Sequence, residues 1–339
     1  MTPNTTDLQP APNTKDLQHQ AVIATGTRPA RPQPPVVIAG TQPRRSAPAG
    51  EVVQAYLRIQ AQALTSLEPM VRLGEPDSVH QMRVATRRLR GALRSFGEVI
   101  LLADSDHLAG ELRWLGHVLG EARDAEVLAG HLGETLRPMP AEAVIGPVQA
   151  RVQGYFAPRG AAARAALLEA LDSPRYTGLL AGLDRLAHDR PRGPLAAAPA
   201  RDVLPEAVRR AYRQTKRRMR RALHTPAGPA RDVALHRARR SARRARYAAE
   251  AASPVVGKKA RAFAGQMKKV QSVLGNHQDA VLARHAARDL GIGAHLAGEN
   301  AFTYGLLQER EDREASRLQS EARHVWRRAS RRRYRRWMR

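Results

Sequence analysis

The amino-acid sequence predicts an all-α fold built from two copies of one helical unit. Beyond the first 50 residues, Ala, Leu, Arg and Glu dominate, and no run of alternating β-branched residues typical of strands occurs. Polar and apolar residues recur with the 3.6-residue period of an α-helix. One basic segment, His80 to Arg90, returns about 156 residues later as His236 to Arg246, and a repeat this long indicates a duplicated architecture.

The chain divides into a tail and a helical region. Residues 1–50 are rich in proline and polar residues, and we expect them to be disordered. The helical region, 51–339, comprises a first half at 51–189, a linker at 190–200 and a second half at 201–339. Helices are expected near 51–73, 79–101, 107–132, 140–187, 202–224, 231–252, 256–290 and 297–337, with breaks in the fourth considered at Pro147, Pro158 and Pro174. Short connections favour antiparallel packing, so we expect two four-helix bundles related by a pseudo-twofold axis.

Composition indicates a polyanionic partner. The 339 residues include 57 Lys+Arg against 31 Asp+Glu, a formal net charge of +26. Nucleic acid, an anionic membrane surface and an inorganic polyanion all suit such a charge. The chain has no Cys, which excludes disulfides and thiolate chemistry. No apolar run approaches the ~20 residues that span a bilayer, and no secretory signal is recognised, so we expect a cytoplasmic protein.

The segment Val79 to Arg94 predicts an amphipathic helix. Five basic side chains at helical spacing form what we call the first stripe: His80, Arg83, Arg87, Arg90 and Arg94. Met82, Leu89 and Phe96 fall on the opposite side, so that side can enter a core while the stripe faces away from it.

The repeat supplies a second stripe: His236, Arg239, Arg240, Arg243 and Arg246. The preceding helix adds four basic residues at helical spacing: Arg209, Arg213, Lys216 and Arg220. Equivalent positions of the two halves further along the chain add Arg113 and Lys268. If the two halves face each other, we expect these cations to line a basic central channel.

The stripes contain no carboxylate. Residues 209–221 carry eight basic groups and residues 236–247 carry six Arg, with no acid in either run. Solvated helix faces usually pair their cations with acids at i+4, and unpaired like charges cost a few tenths of a kcal/mol per pair. Anion binding is therefore the favoured interpretation, and a solvated face is the alternative.

The two histidines that open the stripes are interpreted as phosphate ligands. His80 and His236 could otherwise be neutral side chains that donate to a backbone group. Neither helix offers the HxxxH or HxxE spacing of a metal site, and we predict no metal and no cofactor. Asp124 and Asp279 are interpreted as residues that orient Arg or His. No GxxxxGK[ST] loop or tight acidic cluster occurs, so an enzyme is not expected.

The pattern H-x-x-R-x-x-x-R-R-x-R at 80–90 and 236–246, each followed by an LG…D segment, resembles the CHAD domain family. The resemblance covers about 51–339 and implies two four-helix bundles with a basic channel that binds inorganic polyphosphate, often at polyphosphate granules. Family members are often fused to a domain with an ExExK motif. That motif is absent here, which favours a stand-alone binder.

Polyphosphate binding is thus the leading hypothesis. Nucleic-acid binding is the alternative, although Tyr212 and Tyr247 are the only aromatic residues placed on the basic side, too few for a base-stacking ladder. A phosphate-processing enzyme is a third, weaker hypothesis.

The C-terminal segment, 326–339, carries eight Arg and no acid. Either it ends the last helix at the mouth of the channel, or it forms an interfacial or nucleic-acid-binding extension. The sequence does not specify an oligomeric state.

Overall fold

The computed structural model describes residues 46–101 and 105–338, and the all-α prediction is confirmed over these ranges. The disorder expected for 1–50 falls almost entirely on residues outside them. In the first half the helices are α1 Ala49–Leu73, α2 Ser78–Ser95, α3 Gly97–Ile100, α4 Ser105–Leu136, α5 Val148–Asp172 and α6 Pro174–His188. In the second half they are α7 Ala200–His224, α8 Pro229–Val256, α9 Lys258–Leu296 and α10 Phe302–Ala329, followed by 3₁₀ turns at Arg332–Tyr334 and Arg336–Met338.

Prolines act as helix boundaries at two of the three positions considered. Pro147 immediately precedes α5, and Pro174 begins α6, where the Ser173 hydroxyl accepts a hydrogen bond from the Tyr176 amide (3.2 Å). The break considered at Pro158 is wrong, because α5 continues through it. Pro158 and Gly154, four residues earlier, are both exposed, so water can satisfy the carbonyl that the proline leaves unpaired.

The apolar sides of α2 and α8 fix the direction of the stripes. Met82 and Leu89 of α2 are fully buried, as are Ala238, Ala242 and Ala245 of α8. The alanines allow neighbouring helices to approach closely. Both halves contribute to one continuous core, and burial on these sides leaves the basic sides to face outwards.

Equivalent helices of the repeat pack against each other. α1 contacts α7, α2 contacts α8, and α4 contacts α9. An approximate twofold arrangement would produce this pattern of contacts, but the axis itself stays a prediction. In place of a single fourth helix, the first half has α5, which packs on α4, and α6, which packs on α1.

The two halves are joined at the start of their first helices. Pro48 and Pro199 form an isolated antiparallel bridge just before α1 and α7. The Ala49 amide donates to the Ala198 carbonyl (2.8 Å), and the Ala200 amide donates to the Ala47 carbonyl (2.9 Å). The first amides of a helix usually have no hydrogen-bond partner within that helix. In α1 and α7 these amides are paired across the two halves.

Candidate anion-binding site

The first and second stripes meet where α2 packs on α8. Six arginines of these helices line one cleft, which we call the arginine cleft: Arg87, Arg90, Arg94, Arg240, Arg243 and Arg244. Gly91 and Tyr247 form the rest of its lining, and no carboxylate of the described residues lines it. A side chain at Gly91 would contact the Tyr247 ring, which explains the close approach of the helices there. The cleft has a volume of only about 40 Å³, which is far too small to be the predicted central channel. The channel therefore stays a prediction.

The arginines of the cleft lie in an environment that disfavours their charge. Burial lowers the pKa of Arg243 to about 9, and Arg87, Arg239 and Arg90 add to this effect. Burial lowers the pKa of Arg90 to about 10, with further contributions from Arg94, Arg240, Arg113 and Arg87. The pKa values of Arg87 and Arg244 are lowered as well, again mainly by burial. Arg90 and Arg243 therefore remain protonated at neutral pH, so the free protein holds desolvated like charges close together.

Beyond the cleft, Arg83 and Arg239 lie across the two LG…D segments. A Cβ at Gly120 would lie 3.1 Å from Arg83 Nη2, and one at Gly275 would lie 3.4 Å from Arg239 Nη2. Both glycines therefore make room for a guanidinium that rests on the helix backbone. This equivalence explains why the LG…D segment follows each stripe in the sequence.

The aspartates of these segments differ in their surroundings. Arg83 Nη1 donates to Asp124 Oδ1 (2.8 Å), so Asp124 orients this arginine as expected. Asp279 is half-buried, and burial raises the pKa of its carboxyl despite the opposing effect of Arg239. The two stripes thus have a carboxylate nearby at Arg83 and at Arg239.

The histidines that open the stripes also differ. His236 Nδ1 donates to Gln278 Oε1 (2.8 Å), which leaves Nε2 as an acceptor in the neutral ring. Its pKa is lowered by burial and then by three arginines. Although His80 is exposed, the surrounding protein lowers its pKa by desolvation, with a further contribution from Arg87. Both rings favour the neutral form. A bound phosphate would stabilise the protonated ring of His236, in which Nε2 also becomes a donor.

One substitution breaks the chemical symmetry of the repeat. At the position equivalent to Arg94, the second half has Glu250. Arg246 Nε donates to Glu250 Oε1 (2.7 Å), and the buried Arg88 lies 3.3 Å from Glu250 Oε2. Burial opposes the charge of Arg246, but Glu250 outweighs it and raises the pKa of Arg246 above its ordinary value.

The prediction that Arg246 belongs to the common cationic surface is therefore corrected. Its i+4 neighbour is a carboxylate, and its Nη1 donates to Gln271 Oε1 (3.2 Å) instead of lining the cleft. The equivalent Arg90 has Arg94 in that place, so Arg90 stays without a carboxylate where Arg246 has one.

The helix before the second stripe is also placed differently from the prediction. Arg209, Arg213 and Lys216 of α7 line a separate cavity of about 240 Å³ and not the arginine cleft. Arg220 and Lys268 are exposed and line neither. The orientation of α7 about its own axis explains this difference. Val208, Thr215 and Met219 are buried, so the cationic side of the helix faces away from α8.

Two residues near the cleft were missing from the predicted site. Arg244 lines the cleft, and its Nη1 donates to Gln214 Oε1 of α7 (2.8 Å). Arg218 lies close enough to Arg240 for the two charges to interact, and its pKa is lowered mainly by burial. Arg240 and Arg244 form an i, i+4 pair, and this spacing could have added Arg244 to the second stripe. Arg113, which was predicted, acts on Arg90 from α4.

The C-terminal segment does not continue the last helix to 337. α10 ends at Ala329, and the following turns fold back so that Met338 and Trp326 are buried. The Trp326 ring stacks on Tyr212 (centroids 6.0 Å apart), and Trp337 meets Phe263 edge-on (6.3 Å). The aromatic residues of this segment therefore belong to the core.

Aromatic side chains on the basic side are not available for base stacking. Tyr212 is 5% exposed and Tyr247 is 3% exposed. The guanidinium of Arg335 covers the Tyr212 ring, and those of Arg88 and Arg246 lie near the Tyr247 ring. Sequence-tolerant binding of single strands relies on open aromatic faces, which these rings do not provide.

Outside the cleft, three other kinds of feature bear on function in the described residues, namely cavities, metal sites and membrane-spanning helices. A cavity of about 1310 Å³ lies between α4 and α6 and contains the ion pair of Arg175 with Glu111 (2.6 Å). In the parts of the chain that the structure covers, no group of three His, Asp or Glu side chains is placed to hold a metal ion. No helix there is long and apolar enough to span a bilayer.

The fold and the cleft define a class of protein: a helical repeat whose two copies bring arginines together at their contact. Comparison with known families agrees. The CHAD domain model matches residues 55–288, more than half of the chain, and the chain belongs to the CHAD domain family. The resemblance based on the two stripes is thus confirmed.

Two relatives are known from Mycobacterium tuberculosis. Uncharacterized protein MT2285 of strain CDC 1551 / Oshkosh and uncharacterized protein Rv2226 of strain ATCC 25618 / H37Rv are each 36% identical to this chain over 276 residues. Each match covers 80% of this chain and 52% of the relative, so the chain spans about half the length of these curated relatives.

Solved structures share the fold. The CHAD domain from the plant Ricinus communis matches with a TM-score of 0.68 and 27% identity, covering 88% of this chain and 96% of that one. PptA from Streptomyces chartreusis matches with a TM-score of 0.67 and 22% identity, covering 83% of this chain and 100% of that one. At 22% identity the second match shows the fold alone.

Proposed function

We propose that this protein binds inorganic polyphosphate through the arginine cleft. The observation that carries the proposal is the convergence of six arginines from two helices without a carboxylate among them. Polyphosphate is a flexible chain with about one charge per phosphate, and guanidinium groups bind phosphate oxygens in pairs. Membership in the CHAD domain family adds support, since the resemblance implied this ligand.

The energetic argument rests on desolvation. Arg90 and Arg243 are partly buried and surrounded by other guanidiniums, which is why their pKa values fall to about 10 and about 9. A polyanion in the cleft removes this repulsion and supplies the missing hydrogen-bond acceptors. Binding therefore relieves an unfavourable interaction of the free protein as well as forming new contacts.

Charge reversal in the cleft tests the proposal. Arg90→Glu combined with Arg243→Glu should weaken binding of long-chain polyphosphate by more than about 100-fold, because each site loses a charge-assisted contact and gains repulsion. Titration calorimetry at several salt concentrations measures the effect, and wild-type affinity should fall steeply with salt. The control is Arg288→Glu combined with Arg310→Glu, two exposed residues of α9 and α10 outside the cleft with the same change of charge. Equal affinity of the cleft variant and the control would refute the proposal.

Nucleic acid is the competing ligand. The burial of Tyr212 and Tyr247 favours polyphosphate, since neither ring offers a face to a base. Competition at equal phosphate concentration decides between them. Displacement of long-chain polyphosphate by homopolymeric single-stranded DNA or RNA would favour the nucleic-acid reading.

We further propose that binding involves no chemistry and directs the protein to polyphosphate granules. Incubation with polyphosphate and Mg²⁺ or Mn²⁺ should release no orthophosphate, and any catalytic release would overturn the first part. A fluorescent fusion should coincide with granules in cells, and the Arg90→Glu, Arg243→Glu variant should not.

A further inference from the structure

The C-terminal segment and α7 together enclose a second concentration of positive charge. Six basic side chains line a cavity of about 240 Å³, which we call the C-terminal cavity: Arg209, Arg213, Lys216, Arg332, Arg335 and Arg336. Tyr212 and Met338 complete its lining. We infer that this cavity is a second anion-binding site, specific for a compact ligand with two or three linked phosphate groups. The inference does not depend on the arginine cleft.

The cavity is held in place by buried anchors. Trp326 stacks on Tyr212, Trp337 packs on Phe263, and Met338 is 3% exposed. Trp337 Nε1 also donates to the Tyr334 carbonyl (2.9 Å), which fixes the turn between the last two 3₁₀ segments. These contacts hold a cationic turn against a cationic helix. An unanchored segment of this composition would separate from α7, because like charges repel.

The positive charge in the cavity is nearly uncompensated. No carboxylate of the described residues lines the cavity, and Arg209 Nε lies 2.5 Å from Glu206 Oε2. Arg335 is positioned by its own contacts, since its Nε donates to the Ser330 carbonyl (3.2 Å) and its guanidinium covers the Tyr212 ring (5.7 Å). The donors approach from one helix and two turns, so they surround a ligand instead of presenting a flat surface.

The size of the cavity selects a compact ligand. A volume of about 240 Å³ equals that of about eight water molecules in the liquid, enough for two or three phosphate groups. It is smaller than the roughly 300–1,000 Å³ of sites that enclose drug-sized ligands, so a nucleoside would have to remain outside. The recognised chemistry is the linked phosphate group, either as a short condensed phosphate or as the end of a larger molecule.

The site is separate from the arginine cleft. Gln214 and Arg218 are on the side of α7 that faces α8 and the cleft, whereas Arg213 and Lys216 line the C-terminal cavity. The turns that complete the cavity also lie beyond residues 55–288, the part of the chain matched by the family model. Two of the three tryptophans, Trp326 and Trp337, pack beside the cavity, which provides a local spectroscopic signal.

Binding of inorganic tripolyphosphate to the full chain tests the inference. Tryptophan fluorescence and titration calorimetry are recorded for the wild type and for Arg213→Glu combined with Arg336→Glu, which are both exposed and can be replaced without disturbing the core. We expect the fluorescence change to disappear and the affinity to fall by more than about tenfold. Arg288→Glu with Arg310→Glu, two exposed residues outside both sites, is the matched control and should keep tripolyphosphate affinity within about threefold of the wild type.

The outcomes separate this inference from the proposed function. Loss of tripolyphosphate binding only in the Arg213, Arg336 variant supports the second site, even if the cleft fails to bind long chains. Unchanged binding in that variant, or equal loss in the control, overturns it. A nucleoside triphosphate that matches tripolyphosphate identifies the end of a larger molecule as the ligand, and one that fails to compete identifies a free condensed phosphate. Melting curves of both variants confirm that the fold is retained.

Discussion

Glu250 should act as an internal substitute for a bound anion. It occupies the position equivalent to Arg94 and neutralises Arg88 and Arg246, which would otherwise add to the uncompensated charge around the arginine cleft. Replacing it by Gln removes the charge and preserves the shape. We expect Glu250→Gln to lower the stability of the free protein and to increase its affinity for polyphosphate.

The size of the effect follows from the burial of the group. Removal of one partner from a buried ion pair costs about 3–5 kcal/mol. The Glu250 side chain keeps 25% of its surface exposed, and a Gln side chain can still accept one hydrogen bond, so we expect about 2–3 kcal/mol. For a domain of this size, that corresponds to a fall in Tm of about 4–8 °C. The two freed guanidiniums should tighten polyphosphate binding by about threefold to tenfold.

Thermal unfolding with and without long-chain polyphosphate measures both effects. Polyphosphate should recover more stability in Glu250→Gln than in the wild type, because the ligand replaces the lost carboxylate. The control is Glu309→Gln, which breaks the exposed pair with Arg313 (2.6 Å) and should cost less than about 1 kcal/mol. If Glu250→Gln has wild-type stability and wild-type affinity, Glu250 does not restrict the charged surface and the reasoning is refuted.

Three further predictions use local contacts. Because the pKa values of His80 and His236 are lowered in the free protein and bound phosphate should raise them, polyphosphate affinity should increase as the pH falls from about 8 to about 6, and a His80→Gln, His236→Gln variant should show a flatter dependence in calorimetry. The pKa of His131 is raised by its hydrogen-bonded carboxylate, so its stabilising contribution is present below about pH 6.5 and is lost as the pH rises through the raised value; His131→Gln should therefore cost more stability in denaturant titrations at about pH 6 than at about pH 9. Gly193→Ala should destabilise the fold by at least about 2 kcal/mol, because its Cβ would overlap the backbone of α3, whereas Gly178→Ala, in an open part of α6, should leave stability unchanged or raise it by about 0.5–1 kcal/mol.

The stripes and their meeting could be predicted from the sequence because both depend on helical period and internal repetition. Burial of Met82 and Leu89 on one side of α2 required the basic residues to face the other way. The repeat then implied that a second helix would do the same. The helical period and the repeat are properties of local sequence, and they do not depend on which tertiary contacts form.

The placement of α7 and of the C-terminal segment depends on tertiary contacts. Arg209 and Arg213 share a helical face, but the core decides whether that face meets α8 or the chain terminus. Trp326 and Trp337 looked like interfacial residues next to arginines, yet stacking on Tyr212 and Phe263 draws them inwards. No periodicity in a single segment encodes such a choice of partner.

The ion pair of Glu250 could also have been predicted from the sequence. Counting from the repeat places it opposite Arg94, and its i+4 relation to Arg246 predicts an ion pair. The acid-free run of the second stripe ends at residue 247, three positions before Glu250.

The bridge between Pro48 and Pro199 bears on how this molecule evolved. Each half lends the other the backbone partners at the start of its first helix, and the core continues across both. A single-copy ancestor would have had these partners only in a second molecule, so the ancestral form is expected to be a homodimer. In such a dimer, the positions now held by Arg94 and Glu250 would have been one residue present twice. Only after gene fusion could one copy gain a carboxylate while the other kept its cation, so that the two equivalent positions came to carry opposite charges.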